Sequence, residues 1–374
     1  LDGSAPIGGD RHIPVEERGI ESKKCKQRRP ASGRSEAAGC RHLSFVRQLR
    51  FVKLAGRQNS HKLRAAAGGA LNEASGTFEI NGVRIADTFA EAFPITAARL
   101  IVTAENLHWA KTAAAVFCGN STSVIACDIE SALERSLSPA ETPDARPGVS
   151  LLAFAFSREG LGKAVAARVG QCILTCPTTA CYDGLPGCPK DKQIVIGAHL
   201  RYFGDGFQTS KKVLGRRLWR IPVMDGEFTC EDRFGTVKGV AGGNVILCGT
   251  TQASALHAAE KAVAAIGRVP DVILPFPGGL VRSGSKIGSR YKKLKASTND
   301  AFCPTLIPVT KSALPVGTAA VYEIVIDGLS FDSVRAAMQS GLRAATACKG
   351  LTLITAGNYG GKLGPHQFAL RDLV

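Results

Sequence analysis

An α+β fold of two related lobes is what this sequence predicts, and three observations carry the prediction. Strand-like runs alternate with helix-like runs, but hairpins interrupt the alternation, which favours an α+β sandwich over a doubly wound parallel sheet. The order of elements in residues 78–222 recurs in residues 223–374, although no sequence repeat links the two halves. Residues 1–76 show little periodicity and read as a disordered or non-native basic extension. Within them only Leu43 to Leu54 has an amphipathic pattern, suited to a partner helix or an acidic surface.

The organised sequence begins at Phe78 with FEINGVRI, a hairpin turning at Asn81–Gly82. ARLIVTA (98–104) is a strand, and Asn106 caps the helix LHWAKTAAAVF. SVIAC (123–127) reads as a second strand, with Asp128 capping a helix IESALERSL. The Pro-punctuated loop 138–148 leads to the buried strand VSLLAFAF and the helix REGLGKAVAARVGQCIL. KQIVIGAHLRYF and RRLWRIPVM then pair as a hairpin around Asp205–Gly206, and the lobes meet near Pro222–Gly226. In the second half, strand NVILCG precedes the helix TQASALHAAEKAVAAIG and then DVILPF. After a long loop comes strand 319–328, closed by the turn pair Asp327–Gly328. The helix SFDSVRAAMQSGLRAAT capped by Ser330, strand LTLITA and the terminal HQFAL complete the run.

Charge narrows the function classes. The net charge is +16, and half of it falls in residues 1–76, where 15 Lys/Arg face 7 Asp/Glu. The remainder is mildly basic, which suits small anionic molecules, and it has no zinc-finger or aromatic RNA-binding motif, so nucleic acid is not expected. No run reaches the roughly 20 apolar residues of a membrane span, and the opening residues lack a secretory pattern. A cytoplasmic location with reduced thiols is therefore expected. Cys172, Cys176, Cys181 and Cys188 are separated by three, four and six intervening residues, a spacing that matches no standard metal site, so no metal is assigned.

Strand 319–328 supplies the best candidate acid. Side chains alternate along a strand, so Val321, Glu323 and Val325 share one face. A carboxylate flanked by valines is costly unless it is paired, hydrogen-bonded or protonated, and burial would keep it protonated near neutrality. The commoner arrangement for such a glutamate is a sheet edge facing water, lysine or arginine. Three glycine-rich loops accompany it. Pro275–Ser289 contains Pro277, Gly278 and Gly279, the donors Ser283, Ser285 and Lys286, and the cation Arg282. Ser285 stands where a P-loop requires lysine, which excludes an NTPase of that type. Gly357–Gly364 offers Asn358, Tyr359 and Lys362, an amide, a stackable ring and a cation. Either loop is also consistent with an ordinary structural turn, and Gly239–Asn244 reads as one. The motifs HExxH, GxSxG and GxGxxG after a strand are missing.

The chain from Phe78 onward resembles formylmethanofuran:tetrahydromethanopterin formyltransferases. The resemblance rests on FEINGVRIADTFAEAFPI (78–95), SPAETPDARPGV (138–149), GQCILTCPTTACYDGLP (170–186), PFPGGLVRSGSK (275–286), FCP (302–304), VYEIVIDGL (321–329) and AGNYGGKLG (356–364). It implies transfer of a formyl group from formylmethanofuran to N5 of tetrahydromethanopterin, with the two carriers as co-substrates and no bound metal or prosthetic group. It also implies two ferredoxin-like α/β-sandwich lobes in a homotetramer. In bacteria it implies a subunit of a formyltransferase/hydrolase complex, which the basic charge favours here. The family's YEIVI glutamate, Glu323 in this chain, is expected to act at the formyl centre. Arg282, Lys286 and Lys362 would contact the carriers' acidic groups. The alternative is a non-catalytic, carrier-binding or scaffolding subunit. The basic extension and the cysteines at 176, 181 and 188 depart from the family pattern.

Overall fold

The structure is a computed structural model that describes residues 76–374; the basic extension with its Leu43–Leu54 piece lies outside the described residues. A tight hairpin opens it, β1 (Thr77–Ile80) and β2 (Val83–Ala86), turning at Asn81–Gly82 with both residues at positive φ. The long β3 (Phe89–Thr103) follows, then α1 (Leu107–Phe117), β4 (Glu130–Leu137), β5 (Gly148–Ala155), α2 (Arg158–Arg168) and β6 (Ala180–Asp183). The first half closes with β7 (Gln193–Val195), β8 (Thr209–Val213), β9 (Arg216–Val223), β10 (Gly226–Glu231) and β11 (Arg233–Gly235). The second long strand, β12 (Val237–Gly249), leads to α3 (Gln252–Ile266), β13 (Val272–Ile273), β14 (Ser285–Ile287) and β15 (Ala296–Thr298). Then come β16 (Ala320–Gly328), α4 (Phe331–Thr346), β17 (Leu351–Thr355) and β18 (His366–Ala369).

Sheet pairing gives each half the same four-strand order, β4-β5-β3-β6 in the first and β13-β16-β12-β17 in the second. In each half one face of the sheet is covered by two helices. Leu100, Val102, Leu151 and Ala153 pack with Phe117 and Val165 in the first core. Val245, Leu247, Ile324 and Ile326 pack with Ala262, Val334 and Met338 in the second. The helices are well started: Asn106, Ser157, Thr251 and Ser330 each accept a hydrogen bond from the first turn of their helix. Gly243 is required for the second core, because a Cβ there would come within 2.4 Å of Val334.

Five sequence expectations fail. SVIAC is a turn, and 130–137 is a strand rather than a helix, because it pairs along its length with β5. Tertiary pairing overrides its helix-forming residues. Asp128 binds Arg168 at 2.7 Å instead of capping a helix. In KQIVIGAHLRYF only Gln193–Val195 is a strand, and the hairpin before β10 turns at Leu214–Gly215, where both φ angles are positive. Gly239–Asn244 is no turn but a bulged part of β12, with the register shifting between Val240 and Gly243.

The two lobes share strands as well as a sheet. Pro222–Gly226 lies in the β9–β10 hairpin, and Phe228, Cys230 and Phe234 still belong to the first core. The cores change over inside β12, whose start pairs with β3 and whose end pairs with β16 and β17. Val83, Ile85, Ala90 and Ala92, early in the chain, are buried in the second core. Polar links also cross the junction. Arg99 grips Glu134 through two hydrogen bonds of 2.7 and 2.8 Å and reaches Asp271 at 2.5 Å.

A second link across the junction is a pair of buried carboxyl groups. Glu130 of β4 and Asp327 of β16 lie close enough to perturb each other, and one oxygen of each, Glu130 Oε2 and Asp327 Oδ2, is buried without another partner, so a single proton shared between them would satisfy both. Each also accepts one backbone N–H, from Val124 at 3.0 Å and Gly242 at 3.2 Å. Burial pushes both pKa values above the usual carboxylate range, and the mutual repulsion of the two charges raises Asp327 further. A raised folded-state pKa means that the stabilisation is present at acid pH and is lost as pH rises above the unfolded-state values near 4. Asp327→Asn supplies a permanent donor to Glu130. Thermal melts from pH 5 to 9 are expected to show the parent losing stability relative to this variant as pH rises. Parallel pH curves would count against the shared proton.

Candidate functional site

Glu323 lies on the face of its sheet that carries no helix. Its cross-strand partners are Ile246 of β12 on one side and Val281 on the other, the latter through paired backbone hydrogen bonds of 2.7 and 3.2 Å. Directly paired residues project to the same face, so Val321, Val325, Ile246 and Val281 surround the carboxyl with hydrocarbon. Among the described residues no Lys, Arg or hydrogen-bond donor contacts it. The only large influence on its ionisation is burial, which raises its pKa to about 7. The sequence-based choice between a water-facing glutamate and an enclosed acid thus falls to the enclosed one, still half-buried and open to a ligand.

The bridge at Val281 brings the first glycine-rich loop to the acid. Arg282 and Ser283 follow it immediately and are exposed, and Arg282 has no ion-pair partner among the described residues. Ser285 begins β14. Lys286 is half-exposed, and its ammonium is bound by Asp300, so any anion there competes with that carboxylate. Pro277, Gly278 and Gly279 form a turn further back. Gly279 is buried against Leu274 and Val263 of α3, a packing role, whereas Gly278 has open space before it.

The second loop, 357–364, is held beside the first by a residue that sequence reasoning missed. Glu91 of β3 is 2% exposed. Its carboxylate accepts four backbone N–H groups: Tyr359 donates at 2.7 Å, Gly361 at 3.2 Å, Gly364 at 2.8 Å, and Leu363 donates as well. Asn244 fixes the loop's start by exchanging hydrogen bonds with Gly357. Asn358 is likewise structural, since its amide donates to Thr88 Oγ1 and to the Phe89 carbonyl. In this structure its amide serves to anchor the loop. Tyr359 is largely buried near Glu323 and Glu91, and burial first, then those two carboxyl groups, raises its pKa against an opposing influence of the Ile287 backbone. Lys362 is exposed and has no ion-pair partner among the described residues.

The expected residues thus divide into three groups. Glu323 is paired with Val281, which leads into Arg282, Ser283 and Lys286, and Tyr359 lies near Glu323; Lys362 stands exposed on the second loop; Pro277, Gly279 and Asn358 shape the loops. FAEAFP carried the missed signal, because Glu91 sits between aromatics on its own strand face just as Glu323 sits between valines. Among the described residues no cluster of His, Cys, Asp and Glu is placed to hold a metal ion. The ten described cysteines are unpaired, and Cys181 lies beside Cys230 on the adjacent strand.

A buried acid with a raised pKa, near an aromatic ring and beside a loop bearing cations, is an arrangement that would suit a group-transfer enzyme acting on an anionic substrate. The matches to known proteins agree and narrow the class. Residues 78–223 match the family model described as formylmethanofuran-tetrahydromethanopterin formyltransferase, and residues 226–373 match its proximal lobe. This chain belongs to that formyltransferase family. It is 55% identical over 298 residues to the formylmethanofuran–tetrahydromethanopterin formyltransferase of Methylococcus capsulatus, covering 79% of this chain and 99% of that protein. A formyltransferase/hydrolase complex subunit of Methylorubrum extorquens is 51% identical over 306 residues, covering 79% and 97%. The solved formyltransferase from Methanosarcina barkeri superposes with a TM-score of 0.75 at 47% identity, covering 79% and 100%. A chain in the Methylorubrum extorquens formyltransferase/hydrolase complex with methylofuran gives 0.77 at 50% identity, covering 80% and 99%.

Proposed function

We propose that this chain moves a formyl group between the amine of formylmethanofuran and N5 of tetrahydromethanopterin, with Glu323 as the proton donor. The observation that carries the assignment is a carboxyl with a pKa of about 7, walled by four aliphatic side chains and lacking a cationic partner among the described residues. N5 attacks the formyl carbon, and the carbonyl π electrons move to oxygen, giving a tetrahedral oxyanion. The acid form of Glu323 donates a hydrogen bond to that oxygen, a contribution of roughly 3–4 kcal/mol for a well-placed donor. Collapse restores the carbonyl and expels the methanofuran amine. Glu323 gives its proton to the departing amine and regains one from N5, so it ends in its acid form. Holding the pterin nitrogen against the formyl carbon contributes on a similar or larger scale.

Tyr359 offers a face for the heteroaromatic carrier, while Arg282, Lys286 and Lys362 offer charge for acidic groups, Lys286 by exchange with Asp300. In this reading the carriers are co-substrates in the cytoplasm, and no prosthetic group takes part. The matching strand orders β4-β5-β3-β6 and β13-β16-β12-β17 support two related ferredoxin-like lobes. Exposed Phe207, Leu214 and Met224 support association into a homotetramer. The complex-subunit relative supports a place in a formyltransferase/hydrolase assembly. The test is a formyl-transfer assay on the full chain and on a chain starting at Phe78. Both are expected to form 5-formyltetrahydromethanopterin at rates within about twofold of each other. Carrier binding without product by either chain would favour a scaffolding subunit.

A further inference from the structure

The sheet face that carries Glu323 has no helix on it, yet it is not bare. Direct cross-strand pairing sets Glu323 beside Ile246 and Val321 beside Cys248, and sets Ile246 and Cys248 beside Thr355 and Leu353 of β17. The chain after β15 returns over these residues. Phe302, 8% exposed, forms one apolar cluster with Ile246 and Cys248, and Ala301, Leu314, Val321 and Leu353 pack against that cluster. Ile246 and Val321 are two of the four aliphatic side chains around Glu323, so the wall of the acid has an aromatic ring packed into it from another segment.

That segment is tied down on both sides. Asn299 donates to the Gly284 carbonyl at 3.2 Å, and Phe302 donates to the Asn299 carbonyl at 2.9 Å. Asp300 binds the Lys286 ammonium, and Ala313 donates to the Ala301 carbonyl at 2.9 Å. Glu323 has Val281 as its neighbour on one side and Ile246 on the other. Residues 299–302 thus form a strap that joins the loop following Val281 to the strand that bears Ile246.

Few ionisable groups share this neighbourhood. The loop after Val281 brings Arg282 and Lys286, and the 357–364 loop brings Tyr359 and Lys362, backed by Glu91. The strap and its continuation bring Asp300, Cys303 and Lys311. Beside Glu323 and Val321, β12 and β17 present only one titratable group, Cys248, whose thiol burial pushes up to about 12 and keeps neutral. Burial is also the one cause that raises the pKa of Glu323. Hydrocarbon cover, not a neighbouring charge, decides how firmly this carboxyl keeps its proton.

We propose that Phe302 is a positioning residue for the reaction, the member of the strap that completes the apolar enclosure in which Glu323 acts as an acid. It touches neither carrier and acts through Glu323. The proposal rests on the formyl-transfer reading for the reaction, but the ionisation it concerns can be followed without turnover.

The experiment compares the full chain with Phe302→Ala and with Phe302→Leu, which keeps a large apolar group. In Phe302→Ala water reaches the wall, and the alkaline limb of kcat/KM is expected to move down by about one pH unit. At pH 8.5 that shift lowers kcat/KM about tenfold relative to the parent, whereas at pH 5.5 the two should agree within threefold. Phe302→Leu should keep the parent's limb. Infrared titration of the Glu323 carboxyl, identified by the band that disappears in Glu323→Gln, should show the same displacement in Phe302→Ala. A band that titrates as in the parent, or a loss of kcat/KM that is equal at every pH, would reduce Phe302 to a core residue and overturn the proposal. A displaced band in a chain without transferase activity would uphold the role of Phe302 while overturning the formyl-transfer reading. Should Phe302→Ala fail to fold, Phe302→Val carries the same comparison.

Discussion

Replacing Glu323 with glutamine is expected to lower kcat by about 10²- to 10⁴-fold, the range of a positioned acid catalyst, while KM for both carriers changes less than threefold. Glutamine keeps the size of the side chain and can still donate a hydrogen bond, but it cannot give up a proton. The wall formed by Val281, Val321, Val325 and Ile246 would be undisturbed. Activity of the parent should fall as pH rises through about 7, where Glu323 loses its proton. That limb should be missing in the glutamine variant. The same ionisation bears on stability. The folded-state pKa is raised above the ordinary value of 4.5, so the contribution is fully present below that value and is lost as pH rises toward 7. Melts of the variant should therefore vary less between pH 5 and 8 than those of the parent. A glutamine enzyme with the parent's kcat would remove Glu323 from the chemistry.

Substitution of Glu91 should have the next largest effect, acting through order rather than through chemistry. Its carboxylate gathers four N–H groups from residues 359–364, and a charged acceptor is worth about 1.5–3 kcal/mol per bond. Glu91→Gln leaves the shape unchanged but points an amide N–H at one pair of those donors. Either Tyr359 and Gly361 or Leu363 and Gly364 then face a donor with a donor. The loop would open to water instead of holding unmatched groups. The expected outcome is loss of hydrogen-exchange protection for the amides of 359–364 and a fall of roughly 10- to 100-fold in kcat/KM. The change should be mainly a rise in KM, because Tyr359 and Lys362 travel with the loop. Full amide protection in the variant would show that the loop is held by other means.

These cases mark what could be read from residues alone. The face that Glu323 shares with Val321 and Val325 was legible because strand periodicity assigns faces without knowledge of partners, but whether that face was enclosed or met water was not. The companions of Glu323 in the site were not legible either: nothing local shows that Val281 would pair with it, or that Lys286 would be held by Asp300. The segment 130–137 looked helical because its own propensity is helical; only the presence of β5 beside it decides for a strand. Asp327 reads with Gly328 as a turn, yet β16 runs through both and places the carboxyl against Glu130, nearly two hundred residues earlier. The mixed α+β class and the helices capped by Asn106 and Ser330 followed from short-range physics. The bulge in β12, the sharing of the early strands and the anchoring role of Glu91 arise from contacts between distant segments.

That sharing has a bearing on how the chain comes to be folded as it is made. The second core contains Val83, Ile85, Ala90 and Ala92, and Asn358 binds Thr88 across 270 positions of sequence. At a synthesis rate of about 5–20 residues per second, β2 and the start of β3 wait roughly 14–54 s on the ribosome before their partners β17 and β18 emerge. During that interval their apolar faces and strand edges are open to other nascent chains, and long-range pairing of this kind also slows folding itself. The first lobe's core, by contrast, is complete once Phe234 has emerged. Synthesis therefore passes through a stage in which one lobe is finished while the strands that will complete the other are still unpaired. It is during that stage that chaperones would be needed most.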